Sequence, residues 1–197
     1  MNRRTLLATA GALAAAGLTG TATAQVNQAD LLRISNYLNG ITTMQGEFVQ
    51  VGPDGDLSEG RFFMRRPGRI RFEYEPPNPT LIIADGFWVG VYDILEESLD
   101  RFPLSETPLD LLLRDRVNLR SEGAIEAIER SAGQLRVRAI DPDSRDQGSL
   151  TMVFNDNPLE LTQWIVTDAQ GLNTTVALSG TQRNVTLGGE LFFIEDP

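Results

Sequence analysis

The chain has 197 residues and a net charge of −10, with 27 Asp and Glu against 17 cations, every one of them arginine. It contains neither Cys nor His. That excludes disulfides, thiolate metal sites, a lipid-anchored cysteine, Ser-His-Asp triads and His-ligated metals. An acidic chain is also a poor binder of nucleic acid and of anionic membrane surfaces.

The first segment reads as a leader, not as part of the fold. Asn2-Arg3-Arg4 is a basic start, Thr5–Gly20 an Ala/Leu-rich run, and Ala22-Thr23-Ala24 a small-residue cleavage site. Residues 1–24 are therefore expected to be removed as a signal peptide. "RRTLL" suits the twin-arginine route as well as ordinary secretion. A membrane anchor is the alternative, but the run is short and broken by Gly and Thr. Two arginines leave with the leader, so the net charge drops from −10 to −12. Residues 25–197 suit one domain with its own core.

An amphipathic helix opens this domain. Leu31, Ile34, Leu38 and Ile41 recur at spacings of three and four, and Gly40 marks its end. The period then changes to two. Met44, Gly46 and Phe48 share one strand face; Gly60, Phe62 and Met64 the next; Ile70, Phe72 and Tyr74 a third. "TLIIA", the turn Asp85-Gly86 and "FWVGVYD" follow. A short helix is expected near Thr107, with Thr107 as N-cap, Pro108 in the first turn and Leu109, Leu112 and Leu113 as its apolar stripe. "AIEAIER" reads equally as helix or strand. "QLRVRAID", "SLTMVFN", "ELTQWIVTD" and "LNTTVALSG" are strands. About ten or eleven antiparallel strands of this kind curl into a barrel or half-barrel with one apolar interior. Trp88, Trp164, Phe48 and Met152 belong to its core or to a cavity wall.

The stretch "MRRPGRIRF" carries four arginines in a chain that is otherwise acidic. A two-residue Pro67-Gly68 loop would set Phe62 beside Glu73. An odd loop or a bulge, pairing 66 with 70, 64 with 72 and 62 with 74, keeps the apolar residues on one face. Arg61, Arg65, Arg69 and Arg71 then lie outside with Glu59, Glu73 and Glu75, as a solvated face or a docking surface. Arg66 lies at the inner rim. It either reaches the unpaired last carbonyls of a covering helix, latching it shut, or snorkels to water.

The run "GEFVQ…GRFFMRRPGRIRFEYEPP…LIIADG…VYD…TPLDLLL" and the later "PLELTQWIVTDAQG…TTVALSG" resemble the periplasmic outer-membrane lipoprotein carriers, the LolA-like family, over nearly all of 25–197. The resemblance implies an incomplete antiparallel β-barrel of about 11 strands, mainly β with α, capped by helices around an apolar cavity for acyl chains. It matches the family's lid-holding arginine to Arg66. It also matches the family's aromatic three residues past the following proline to Ile70, and its next tryptophan to Phe72. The family's W-x-Y-D becomes Gly90-Val91-Tyr92-Asp93, with Trp88 moved to a neighbouring position. The cavity is expected to be lined by Phe48, Phe62, Met64, Ile70, Phe72, Tyr74, Ile83, Trp88, Leu112 and Met152.

The implied function is non-enzymatic and needs no cofactor or metal. The chain would be a monomeric periplasmic chaperone that carries acylated lipoproteins between membranes. It would be loaded by an inner-membrane lipoprotein-releasing ABC transporter and unloaded at an outer-membrane acceptor. Burying an acyl chain of about 15 methylenes releases roughly 12 kcal/mol, so a carrier needs an opposing cost, such as breaking a latched lid, to let go. The rival readings are a carrier of free lipid or glycolipid and a lipid-sensing regulatory domain of the same fold. The spacing of Asp141, Asp143 and Asp146 in "DPDSRDQGS" does not fit a calcium loop and reads as a turn.

Overall fold

The computed structural model describes residues 27–196 apart from 122 and 132; the expected leader lies outside the described residues. Helix α1 (Gln28–Asn39) starts where the Asn27 side chain accepts the Ala29 N–H at 3.0 Å. Its buried stripe is Leu31, Ile34 and Leu38, with Ser35 beside it. Gly40 ends the helix in a right-handed conformation, with its N–H on the Asn36 carbonyl.

Six strands then meander: β1 (Thr43–Val51), β2 (Leu57–Arg65), β3 (Arg69–Tyr74), β4 (Thr80–Asp85), β5 (Trp88–Asp93) and β6 (Ser98–Pro103). A short 3₁₀ turn and the one-turn helix α2 (Asp110–Leu113) follow. The Thr107 side chain does not cap α2; its hydroxyl donates back to the Leu104 carbonyl at 2.8 Å. "AIEAIER" falls in a strand, β7 (Ile125–Ser131), followed by β8 (Gln134–Ala139), β9 (Ser149–Asp156), β10 (Leu159–Thr167) and β11 (Asn173–Arg183).

All eleven strands form one antiparallel sheet in the order β6-β5-β4-β3-β2-β1-β11-β10-β9-β8-β7. β6 and β7 are its two edges and do not pair, so the barrel stays incomplete. The curl is strong. Phe72 on β3 and Trp164 on β10 are four strand spacings apart in the sheet, roughly 19 Å if it were flat. Their rings lie 6.2 Å apart. A single buried cluster joins both halves of the sheet to Leu31, Ile34 and Leu38 of α1 and Leu112 and Leu113 of α2.

The β2–β3 register corrects one expectation. The pairs are Arg65 with Arg69, Met64 with Ile70, Phe62 with Phe72 and Gly60 with Tyr74. The turn is the three residues Arg66-Pro67-Gly68, and the ladder is offset by two positions from the expected one. Parity survives an offset of two, so the apolar faces coincide as the pattern requires.

After β11 the chain crosses the outer face of β3 and β4 through a 3₁₀ turn at Gly189–Phe192. Phe192 is buried there, Arg71 donates to the Leu191 carbonyl at 3.3 Å, and Tyr92 to the Glu195 carbonyl at 2.8 Å.

Candidate functional site

The interior is an aromatic seam. Phe48 meets Phe72 edge-on at 5.1 Å and Tyr74 at 5.0 Å, and Phe62 meets Trp164 at 6.3 Å. Phe48, Phe62, Met64, Ile70, Phe72, Leu112 and Met152 all fall in this buried cluster. Tyr74 is half-buried at its margin, and its hydroxyl donates to Gln50 at 2.8 Å. Burial pushes the Tyr74 phenol up to about 12, against the opposing pull of the Gln50 bond. With Phe48, Phe62, Met64, Ile70 and Trp164 almost wholly shielded from solvent, the chain's own side chains fill the interior. An acyl chain would have to displace them and lift the helices above.

Two of the expected wall residues lie elsewhere. Ile70 pairs with Ala84 and Phe72 with Ile82, so Ile82 faces the interior and Ile83, opposite Arg71, faces out. Ile83 is still buried, because the Phe192 segment covers that face of β3 and β4. Trp88 is also outward. Val89 and Val91 are its inward neighbours on β5, opposite Ala84 and Ile82. Trp88 is half-exposed and borders an open surface pocket with Asp85, Arg101 and Ile194.

Arg66 sits in the β2–β3 turn and reaches two covering elements at once. Its Nε donates to the Arg114 carbonyl at 3.0 Å, one Nη donates to that same carbonyl, and the other donates to the Leu38 carbonyl. Longer contacts run to Asn39 at 3.4 Å and the Asp115 carbonyl at 3.5 Å. Leu38 belongs to the last turn of α1 and Arg114 caps the end of α2. Both carbonyls are among those a helix leaves without internal donors. Burial pushes the guanidinium below the ordinary arginine value while Asp115 pulls it back, and the group stays charged at any physiological pH. The turn backbone adds to the grip: the Gly68 N–H donates to the Leu113 carbonyl at 2.8 Å.

Polar contacts not anticipated from the sequence bind α1 to the segment after α2. The Asn39 amide donates to the Val117 carbonyl and accepts the Val117 N–H, both at 2.9 Å. Ser35 Oγ accepts the Leu119 N–H at 3.1 Å and donates to the Leu31 carbonyl at 2.7 Å. The only sequence signal was a serine adjoining the apolar stripe. At the other end of α1, Arg130 bridges Asp30, at 2.8 Å, to Asp156 on β9. Arg114 pairs with Asp110 at 2.7 Å and with Asp141 in the β8–β9 loop. Burial raises the Asp141 carboxyl, but the Asp143 N–H and Arg114 outweigh it and hold it below the usual carboxylate value.

The outer arginines divide. Arg61 and Arg71 both pair with Glu73, at 3.1 and 2.8 Å. Arg65 and Arg69 have no carboxylate partner among the described residues; Arg69 Nε donates to the Asp85 carbonyl at 3.2 Å.

The family model described as "Outer membrane lipoprotein carrier protein LolA" matches residues 39–195. An outer-membrane lipoprotein carrier protein of Chromobacterium violaceum is 30% identical over 194 residues, covering 94% of this chain and 92% of the relative. An uncharacterised Rickettsia prowazekii protein is 26% identical over 131 residues, where the chain spans 61% of the relative. Among solved structures, a Vibrio parahaemolyticus domain described as an outer membrane lipoprotein-sorting protein superposes with a TM-score of 0.53 at 9% identity, covering 83% of this chain and 94% of that one. At that identity the likeness concerns the fold alone.

Proposed function

The chain belongs to the outer membrane lipoprotein carrier protein LolA family, and from that premise we propose that it is a periplasmic chaperone for acylated lipoproteins. The observation that carries the reading is a predominantly apolar interior roofed by two elements whose ends meet at one arginine. In this reading the structure is the empty, closed form. Arg66 latches the lid, and opening requires α1 and the Arg114–Leu119 segment to release its guanidinium. An acyl chain then exchanges places with the rings of the seam. What the burial of methylenes gains, at about 0.8 kcal/mol each, is offset in part by the broken latch, so cargo can be surrendered. Loading would come from an inner-membrane lipoprotein-releasing transporter, and delivery would be to an acceptor at the outer membrane.

The test is to isolate the protein from the periplasm and identify its bound molecules by native mass spectrometry. Acylated protein in the complex supports the proposal. Free lipid alone, together with correctly sorted outer-membrane lipoproteins after depletion, would replace it with a free-lipid carrier.

A further inference from the structure

The described residues expose four large aromatic side chains, Phe87, Trp88, Phe102 and Phe193, and two of them adjoin at the β4–β5 tip. Phe87 closes the β4–β5 turn and is 81% exposed; Trp88 begins β5 and is 48% exposed. Phe102 on the edge strand β6 pairs with the inward-facing Val89, so it lies on the inner face and is not part of this tip. Phe193 precedes Ile194, which shares the surface pocket with Trp88.

The tip is rigid. Asp85 Oδ1 accepts both the Phe87 and Trp88 N–H groups, at 2.8 and 2.9 Å, and the Leu104 N–H donates to the Phe87 carbonyl at 2.9 Å. The tip is therefore held in shape while its ring stands in solvent. Beside it on the same outer face are two arginines in a position that ordinary stability does not favour. Arg65 and Arg69 are directly opposed across β2 and β3, a like-charge pairing that destabilises a sheet. Arg69 in turn pairs with Asp85, so both arginines lie just behind the tip.

An exposed aromatic tip backed by guanidinium groups with no carboxylate partner among the described residues fits one surface by chemistry. Aromatic rings settle at the boundary between headgroup and acyl chain, and arginines neutralise lipid phosphates. Strand geometry sets Phe87 roughly 3–7 Å beyond the Arg65–Arg69 row. That is of the order of the 5–10 Å over which interfacial apolar groups enter a membrane.

We propose that the β4–β5 tip is a membrane-docking corner, which seats Phe87 and Trp88 in a phospholipid interface with Arg65 and Arg69 at the phosphates. The inference goes beyond the carrier reading and does not depend on the cargo. Contact is brief, since the chain is acidic overall and the corner is small. It also touches the lid machinery: a Cβ on Gly68 would meet the Gly86 Cα at 2.7 Å, so the docking tip packs on the turn that holds Arg66.

The test uses the mature protein stripped of bound lipid and lipoprotein by unfolding and refolding, and vesicles of phosphatidylethanolamine and phosphatidylglycerol at about 3:1. Trp88 is the reporter, because Trp164 is buried and contributes a background that lipid does not reach; Trp88→Phe supplies that background. The expected result is a blue-shifted emission quenched by brominated lipids, together with flotation of the protein with the vesicles. Phe87→Asp should weaken partitioning tenfold or more at an unchanged unfolding midpoint. Arg65→Gln and Arg69→Gln should each weaken it roughly fivefold and flatten its salt dependence. No lipid-dependent change up to millimolar lipid would overturn the proposal, as would equal binding by Phe87→Asp. A tip reserved for a protein partner would give the first of those results. Failure here leaves the cargo question untouched, because no cargo enters the assay.

Discussion

Replacing Arg66 by Leu removes the one side chain among the described residues that ties both covering elements to the β2–β3 turn. The wild-type group makes three strong contacts, two to the Arg114 carbonyl and one to the Leu38 carbonyl, plus two marginal ones at 3.4 and 3.5 Å. A hydrogen bond from a charged donor contributes about 1.5–3 kcal/mol. Arg66 is only part-buried, so water replaces some of each bond when it is lost. A net loss of roughly 2–4 kcal/mol in lid closure follows, which raises the open population on the order of 30- to 1000-fold at 1.4 kcal/mol per decade. Hydrogen exchange reads this directly. The amides of Gly40 and Ile41 and those from Leu113 to Leu119 should exchange faster in Arg66→Leu, while the β9 and β10 amides stay as slow as before. Arg66→Lys should fall between, because a single ammonium cannot serve both carbonyls in the same geometry. Unchanged exchange in the two covering elements would refute the reasoning. So would acceleration spread evenly over the sheet, which would make Arg66 a general stabiliser and not a latch.

Four further outcomes are expected. Asn39→Ala removes both bonds to the Val117 backbone and should cost about 1–3 kcal/mol, seen in urea unfolding and as a loss of protection at Val117. Gly60→Ala places a methyl 2.0 Å from the Glu73 carbonyl oxygen and 3.0 Å from the Phe48 ring, so it should lose at least the roughly 1–3 kcal/mol of ordinary overpacking. Tyr74 is raised to about 12 in the fold; its neutral form is favoured there, so the stability it contributes is complete below about 10 and is lost between about 10 and about 12. Tyr74→Phe should abolish that alkaline loss in a pH series of unfolding midpoints. Asp141 is depressed from the usual carboxylate value of 3.8; its contribution is present above that pH and disappears as pH falls through the lower folded value. Asp141→Asn should therefore remove part of the acid-induced loosening of α2, measured by exchange at the Leu113 amide.

Much of the frame could be read from residue spacing. The stripe of α1, the two-residue period of β1 to β3 and the inward faces of Phe62, Met64, Ile70 and Phe72 all follow from periodicity. Arg66 could be placed at the rim because only a few turn lengths keep those faces together. Ile83 and Trp88 could not be oriented in the same way. "TLIIA" and "FWV" are apolar on both faces, and a continuous apolar run carries no parity. What settles the matter is the path of residues 189–196 over the outer face, a long-range contact with no local signature. The Asn39 and Ser35 contacts were invisible for a related reason. They join α1 to Val117 and Leu119, some eighty residues away in the chain, and polar residues flanking an apolar stripe look like any solvated helix face. α2 was overread because Thr107 and Pro108 fit a capping pattern whose geometry the preceding 3₁₀ turn pre-empts.

The two unpaired edges, β6 and β7, set how the molecule can accommodate bulk. A closed barrel behaves as a hoop: its girth is fixed by its ladder, and widening it means breaking backbone hydrogen bonds. This sheet is a hoop already cut. Its radius of curvature can relax by a few degrees of twist at each of many strand junctions while every rung of the ladder stays intact. In the proposed carrier role, swelling to admit guests of different girth is thus a soft, distributed deformation, and the discrete energetic step is confined to the roof.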